Sequence, residues 1–115
     1  MGRFIVGDIV AVKFPFSNLT GQKLRPALVL ALAEYENVIL CQITSKSYSS
    51  KTAIMITEAD FNQGSLPVVS YARPDKIFTA DKSIISKKLG SLHRLKTEYL
   101  LDLVRRQFEG SKVES

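Results

Sequence analysis

Before Gly90 the apolar residues alternate with polar ones or come in short runs; after it they recur at helical spacing. Residues 8–16 (DIVAVKFPF) predict a strand, with Ile9, Ala11 and Lys13 on one face and Val10, Val12 and Phe14 on the other. Pro15 has no N–H to give a ladder, so pairing should stop or reach an edge there. Residues 17–23 (SNLTGQK) predict a loop. Residues 28–32 are apolar on both faces, as in a buried strand, and 37–45 form another β-rich run. A polar loop (46–51, KSYSSK) leads to a short strand at 53–57, then a connection over 58–66 with a helical turn near 59–61. A strand over 68–72 is interrupted at Pro74 and resumes over 76–79, and 83–89 make the last strand before Gly90 breaks the pattern. Leu92, Leu95, Tyr99, Leu103 and Val104 then mark an amphipathic helix, joined by Leu100 and Phe108. The stripe Leu95, Tyr99, Leu103 is assigned to the core. Gly110 is the expected C-cap, with Arg105 and Arg106 favoring the negative end of the helix. The pattern predicts a mainly β (α+β) chain: a small antiparallel barrel closed by a C-terminal helix, one domain over 1–110, and a frayed tail at 111–115.

Of the 115 residues, 45% are hydrophobic and 23% charged, the balance of an ordinary globular domain that buries its own core. The longest purely apolar run, 27–33, is far shorter than the roughly 20 residues of a membrane-spanning helix. Neither a signal peptide nor a myristoylation pattern is read, so no membrane partner is expected. Cys41 is the only cysteine and His93 the only histidine. An internal disulfide is impossible, which fits a reducing cytoplasm, and the usual nitrogen and sulfur ligands of zinc are lacking. Motifs for nucleotides, calcium or zinc hydrolysis are absent, so no cofactor or metal is expected. The chemistry is left to Arg, Lys, Asp, Ser, Thr and backbone. The net charge is +5, and residues 82–106 carry seven basic against two acidic side chains, the whole excess. Such a segment is either a solvated helix face and edge strand or a field that attracts nucleic acid or an acidic protein.

Three ordered stretches are more specific. The first is Gly7-Asp8-Ile9-Val10, then Phe14-Pro15-Phe16, then Leu24-Arg25-Pro26-Ala27-Leu28-Val29-Leu30; the second is Gln42-Ile43-Thr44-Ser45. The third is Ser70-Tyr71-Ala72-Arg73-Pro74-Asp75-Lys76-Ile77-Phe78, leading to Lys87-Lys88-Leu89-Gly90 and the helix. In order and spacing, over roughly residues 5–108, the chain resembles the MazF/PemK-like toxin family of toxin–antitoxin RNA endonucleases. The resemblance implies an SH3-like barrel, a homodimer, single-stranded RNA as substrate, and an acidic antitoxin that wraps the toxin.

Metal-free RNA cleavage uses the substrate's own 2′-hydroxyl and leaves a 2′,3′-cyclic phosphate and a 5′-hydroxyl. The protein must help remove a proton, stabilize extra charge on phosphorus and protonate the leaving oxygen. A guanidinium suits the second task. Arg25 is the first candidate: Pro26 biases it to an extended conformation where a polar loop meets a buried strand. The resemblance gives the equivalent arginine a catalytic role. Thr44 and Ser45 end a strand, where their hydroxyls either cap the turn into Lys46 or donate to a phosphate; the resemblance places Thr44 at the transition state. Arg73 and Asp75 share a face on an extended chain, which fits an ion pair or, as in some relatives, an acid and a base. Many relatives carry a glutamate five residues before the arginine, where this chain has Thr20; either Asp75 supplies a carboxylate, or charge stabilization dominates, or activity is weak or lost. Gln22 and Lys23, in the loop joined to Arg25, are assigned to the RNA groove with Ser45. Tyr48 suits base stacking, and Lys46 and Lys51 suit phosphates. His93 is read as a helix-start residue and Cys41 as a buried, inert thiol. Two rivals to cleavage are a barrel that inhibits a topoisomerase by contact alone, and a relative that only binds RNA or antitoxin.

Overall fold

The computed structural model describes residues 4–15, 22–46 and 51–110. Its strands are β1 (Asp8–Pro15), β2 (Gln22–Leu32), β3 (Asn37–Thr44), β4 (Ile54–Ile56), β5 (Phe61–Gly64), β6 (Ser70–Asp81) and β7 (Ile85–Leu92), followed by helix α1 (Arg94–Arg106). One antiparallel seven-stranded sheet, in the order β4-β6-β3-β2-β1-β7-β5, curls into a half-barrel, the expected class of fold. The curl puts a core on each face. Ile9, Leu28, Cys41, Ile43 and Ala72 meet Leu100 of α1, whereas Val10, Val12, Val29 and Leu40 pack with Ile85 and half-buried Phe14 and Phe78. β1 alternates between the two, as its sequence pattern requires.

The Gly7-Asp8 motif is architectural. Gly7 has φ +101°, and a Cβ there would stand 2.9 Å from Thr97 Oγ1, so only glycine lets α1 dock. Fully buried Asp8 accepts from the Ile5 N–H at 2.9 Å, and Lys88 Nζ lies 3.3 Å from its other oxygen without hydrogen-bond alignment. His93 Nδ1 accepts from the Lys96 N–H at 3.2 Å and caps α1, the expected helix-start role.

Several elements differ from the sequence pattern. β2 begins at Gln22, well before residue 28, because residues 23–26 pair with β1 despite their mixed polarity. Arg25 therefore stands inside a strand, opposite Val12, and not where a loop meets one. β6 runs straight through Pro74: the register with β3 shifts between Cys41 and Ile43, which leaves residues 73–76 as a bulge where no ladder N–H is required of the proline. The connection after β4 holds a short 3₁₀ turn (Glu58–Asp60), near the expected place, and then β5, which pattern alone did not reveal. Gly90 does not end its strand. A Cβ there would come 2.5 Å from the Gln63 carbonyl oxygen, so glycine permits the close approach of β5 to β7. Helix α1 is capped by Gln107, not Gly110. Its stripe is also rotated from expectation: Leu100 is buried, while Leu95 is 76% and Tyr99 51% exposed. The expectations for residues 16–21, 47–50 and 111–115 lie outside the described residues.

Candidate active site

The ends of β2 and β3 form one wall of a cleft of about 390 Å³. Its floor is apolar, including Ala11, Pro26, Ile43 and Leu89, and its polar lining is Lys23, Arg25, Thr44, Ser45, Ser70 and Lys87. Four residues chosen from sequence thus meet in one place: Lys23, Arg25, Thr44 and Ser45. The register brings them together. Ala27 pairs with Gln42 and Leu28 with Cys41, so continuing the same ladder sets Arg25 beside Thr44. Arg25 is half-buried, its backbone held in the strand pair with β1 while the residue still lines the cleft.

Thr44 Oγ1 accepts from the Lys46 N–H at 3.1 Å. Turn capping and donation to a phosphate are therefore compatible: the bond uses a lone pair, fixes the oxygen and leaves the O–H proton to donate. Three cations line the cleft and no carboxylate does, among the described residues. Such a lining attracts a phosphodiester and offers donors to its oxygens.

Arg73 and Asp75 lie elsewhere, paired with each other. Arg73 Nη2 donates to Asp75 Oδ2 at 2.7 Å and Nε to Oδ1 at 3.3 Å, a forked pair with side chains 13% and 33% exposed. The Arg73 hydrogen bonds hold the Asp75 carboxyl below its ordinary range, against the opposing effect of partial burial. This pair borders a second, more open hollow of about 510 Å³, lined by Phe14, Gln42, Asp75, Lys76, Ile77, Phe78 and Ile84. Cys41 anchors the bulge, its thiol donating to the Arg73 carbonyl at 3.0 Å. Burial pushes that thiol up to about 12, so at neutral pH it is the inert group expected.

Lys46 and Lys51 are exposed and belong to neither the cleft lining nor the hollow. Tyr48, Thr20 and the side chain of Gln22 lie outside the described residues. Sequence reasoning missed Lys87, Ser70 and the apolar cover of Leu66, Pro67 and Val68. Lys87 reaches the cleft because Ala11 pairs with both Pro26 and Lys87, a rung visible only once β7 is known to flank β1. Ser70 is buried, its hydroxyl donating to the Val68 carbonyl at 3.0 Å. Among the described residues no group of three or more His, Cys, Asp or Glu could hold a metal ion, and no helix is long and apolar enough to cross a membrane.

Comparison with known proteins now gives this geometry a context. No curated protein matches the chain by sequence. Solved structures do match in fold. An endoribonuclease in complex with its cognate antitoxin, from a mycobacterial species, aligns with TM-score 0.67 at 16% identity, covering 99% of this chain and 100% of that one. The Mycobacterium tuberculosis toxin MazF-mt6 aligns with TM-score 0.65 at 20% identity, covering 87% and 93%. MazF from Deinococcus radiodurans aligns with TM-score 0.61 at 23% identity, covering 87% of each chain. Residues 5–108 match the family described as PemK-like, MazF-like toxin of type II toxin–antitoxin systems, and the chain belongs to that family.

Proposed function

We propose that this protein is a toxin that cuts single-stranded RNA in the cleft walled by the ends of β2 and β3, selectively and without a metal ion, until an antitoxin occupies the groove. The observation that carries the reading is the meeting of Arg25 and Thr44, with Lys23 and Lys87, in a cleft lined by cations and no carboxylate among the described residues. The scissile phosphate sits against Arg25, whose forked donors neutralize the charge that grows on its oxygens. The Thr44 hydroxyl donates to the same group, while Lys23 and Lys87 hold the flanking phosphates. The substrate's 2′-oxygen attacks phosphorus and the bond to the 5′-oxygen breaks. The 2′-proton passes to solvent and the 5′-oxygen takes one up. The products are a 2′,3′-cyclic phosphate and a 5′-hydroxyl. With Asp75 turned to Arg73, rate comes mainly from charge stabilization.

The cation-lined cleft also suits the acidic segment of an antitoxin, and the similar mycobacterial endoribonuclease was solved with its cognate antitoxin. Exposed Leu95 and Tyr99 on α1 give a homodimer or that antitoxin an apolar surface to cover. The place of action is the cytoplasm, where the target RNA lies. Purified protein incubated with a long mixed-sequence RNA in the presence of chelator is expected to yield discrete fragments ending in cyclic phosphate, and Arg25→Ala none. Intact RNA with the wild-type protein excludes the reading in favor of binding or topoisomerase inhibition.

A further inference from the structure

Residues 87 and 88 are both lysines, so their own chemistry does not decide which of them enters the cleft. Consecutive strand residues point to opposite faces, and a slip of one position would exchange the two. The ladder that sets the register is short here. β7 pairs with β1 through Val10–Lys88 and Ala11–Lys87, and a register shift flanks these two rungs on each side, one at Leu89 and one at Ser86. Beyond the shifts the strand is held at Gly90, by its close approach to Gln63, and at Ile85, by the core. Between those points Asp8 makes the two lysines unequal. It lies two residues before Val10 and shares the face of Val10 and Lys88, whereas Ala11 and Lys87 line the cleft. The Asp8 carboxylate is fully buried. One oxygen accepts from the Ile5 N–H at 2.9 Å; the other has no hydrogen bond and faces Lys88 Nζ at 3.3 Å. A buried carboxylate in that state depends on its counter-ion. The Lys88 side chain is 40% exposed, so it reaches the buried oxygen from the surface.

We propose that Asp8 and Lys88 are a positioning pair for the cleft: the buried carboxylate holds Lys88 on one face of β7 and thereby fixes Lys87 on the other, toward the RNA. The inference rests on the RNA reading of the cleft and adds the residues that place one of its three cations. Both act on the substrate only through Lys87. The Gly7-Asp8 motif then has two tasks, since Gly7 lets α1 dock and Asp8 sets the register of β7. Positioning and long-range attraction differ in sign. If the pair acted through its field, removing the acid would strengthen RNA binding and removing the base would weaken it. Acting through register, either removal weakens it.

Fluorescence anisotropy with a mixed-sequence 2′-fluoro RNA dodecamer, which lacks the attacking hydroxyl, gives affinity and salt slope without cleavage. Asp8→Asn and Lys88→Met should each weaken binding at low salt by about threefold or more and flatten the salt slope toward that of Lys87→Ala, although they change the net charge in opposite directions. Asp8→Asn keeps an oxygen for the Ile5 N–H. The double variant Asp8→Asn/Lys88→Met has the wild-type net charge and leaves no buried charge unpaired, so it should fold at least as well as Lys88→Met and still bind like Lys87→Ala. In the Lys87→Ala background, Asp8→Asn should change affinity by less than about twofold. Tighter binding by Asp8→Asn, wild-type binding by the charge-matched double variant, or the same loss with and without Lys87 would overturn the proposal. Acetylation of the wild-type protein, read by mass spectrometry, requires no variant to fold: RNA should protect Lys87 and leave the labeling of Lys88 unchanged, and equal protection of both would also overturn it. Wild type that cuts RNA while Lys87 and the pair are uncoupled refutes this inference and leaves the nuclease reading standing. Wild type that binds no RNA refutes that reading itself, and the pair then has no cleft to serve.

Discussion

Two arginines, Arg25 on β2 and Arg73 on β6, lie near the same end of the sheet in opposite electrostatic company. Arg73 is forked onto Asp75, and the two form a neutral unit. Arg25 lines a cleft with Lys23 and Lys87 and, among the described residues, no carboxylate. An arginine paired with its own carboxylate adds little net pull on an anion, whereas a cleft lined by three cations suits one. Sequence treats the two arginines alike, each beside a proline and each in an extended stretch. Only the acid two residues past Arg73, together with the bulge that turns both side chains together, separates them.

The largest expected effect tests the cleft. Arg25→Ala should lower cleavage by at least about 100-fold, the scale of removing a donor from a developing oxyanion. The measurement is the initial rate of formation of cyclic-phosphate ends, with circular dichroism to show that the fold persists. Arg25→Lys should recover only part of the rate, because a point charge lacks the planar fork. A rate in Arg25→Ala within threefold of wild type would erase the distinction between the two arginines. Lys87→Ala comes next, with a loss of about tenfold at low salt and a salt slope of binding shallower by about one unit, as for one phosphate contact removed. A loss independent of salt would place Lys87 in the scaffold instead.

The half-barrel and its closing helix were legible because β1 obeys a period of two, β3 and β4 are short β-rich apolar runs, and the last stretch has a period near 3.6. Misreadings came where tertiary pairing overrides local signals. Gln22 and Lys23 read as the end of a loop and the strand was expected only from residue 28, but β1 provides partners for residues 22–27. Tyr35 and Glu36 turn β2 into β3 with φ of 59° and 64°, conformations usually signaled by Asn-Gly, and the Lys82 ion pair to Glu36 at 3.3 Å ties that turn down. The helix stripe was misplaced because Leu and Tyr were counted as core, while the face that docks against Gly7 carries Thr97. For the site, Arg25, Thr44 and Ser45 could be found from motif order, whereas Lys87 and Ser70 depended on which strands flank β1 and β3, and pattern alone does not fix that order.

Smaller effects probe the hollow. Cys41→Ala removes the S–H donor to the Arg73 carbonyl together with the buried sulfur, at a cost of about 1 kcal/mol. Thermal unfolding should fall by about 4 °C, with cleavage at the cleft unchanged. An unaltered melting temperature would show that the bulge does not depend on that bond. Native Cys41 should resist a thiol reagent at pH 8 and react on unfolding, because its thiol titrates near 12.

The smallest effect concerns pH. Arg73 holds the Asp75 carboxyl below its ordinary range, so the folded state binds its proton less readily than the unfolded chain. The stabilization is therefore complete above the unfolded value of about 3.9 and is lost as pH falls through the lower folded value. Its size is under about 1 kcal/mol, because a third of the Asp75 side chain is exposed and solvent screens the pair. Wild type should melt slightly above Asp75→Asn at pH 7, and the two curves should converge as the solution is acidified below pH 4. If the gap instead stayed constant to pH 2, the carboxylate's charge would not be what secures the bulge, and the contrast between the compensated arginine and the one in the cleft would have to rest on packing alone.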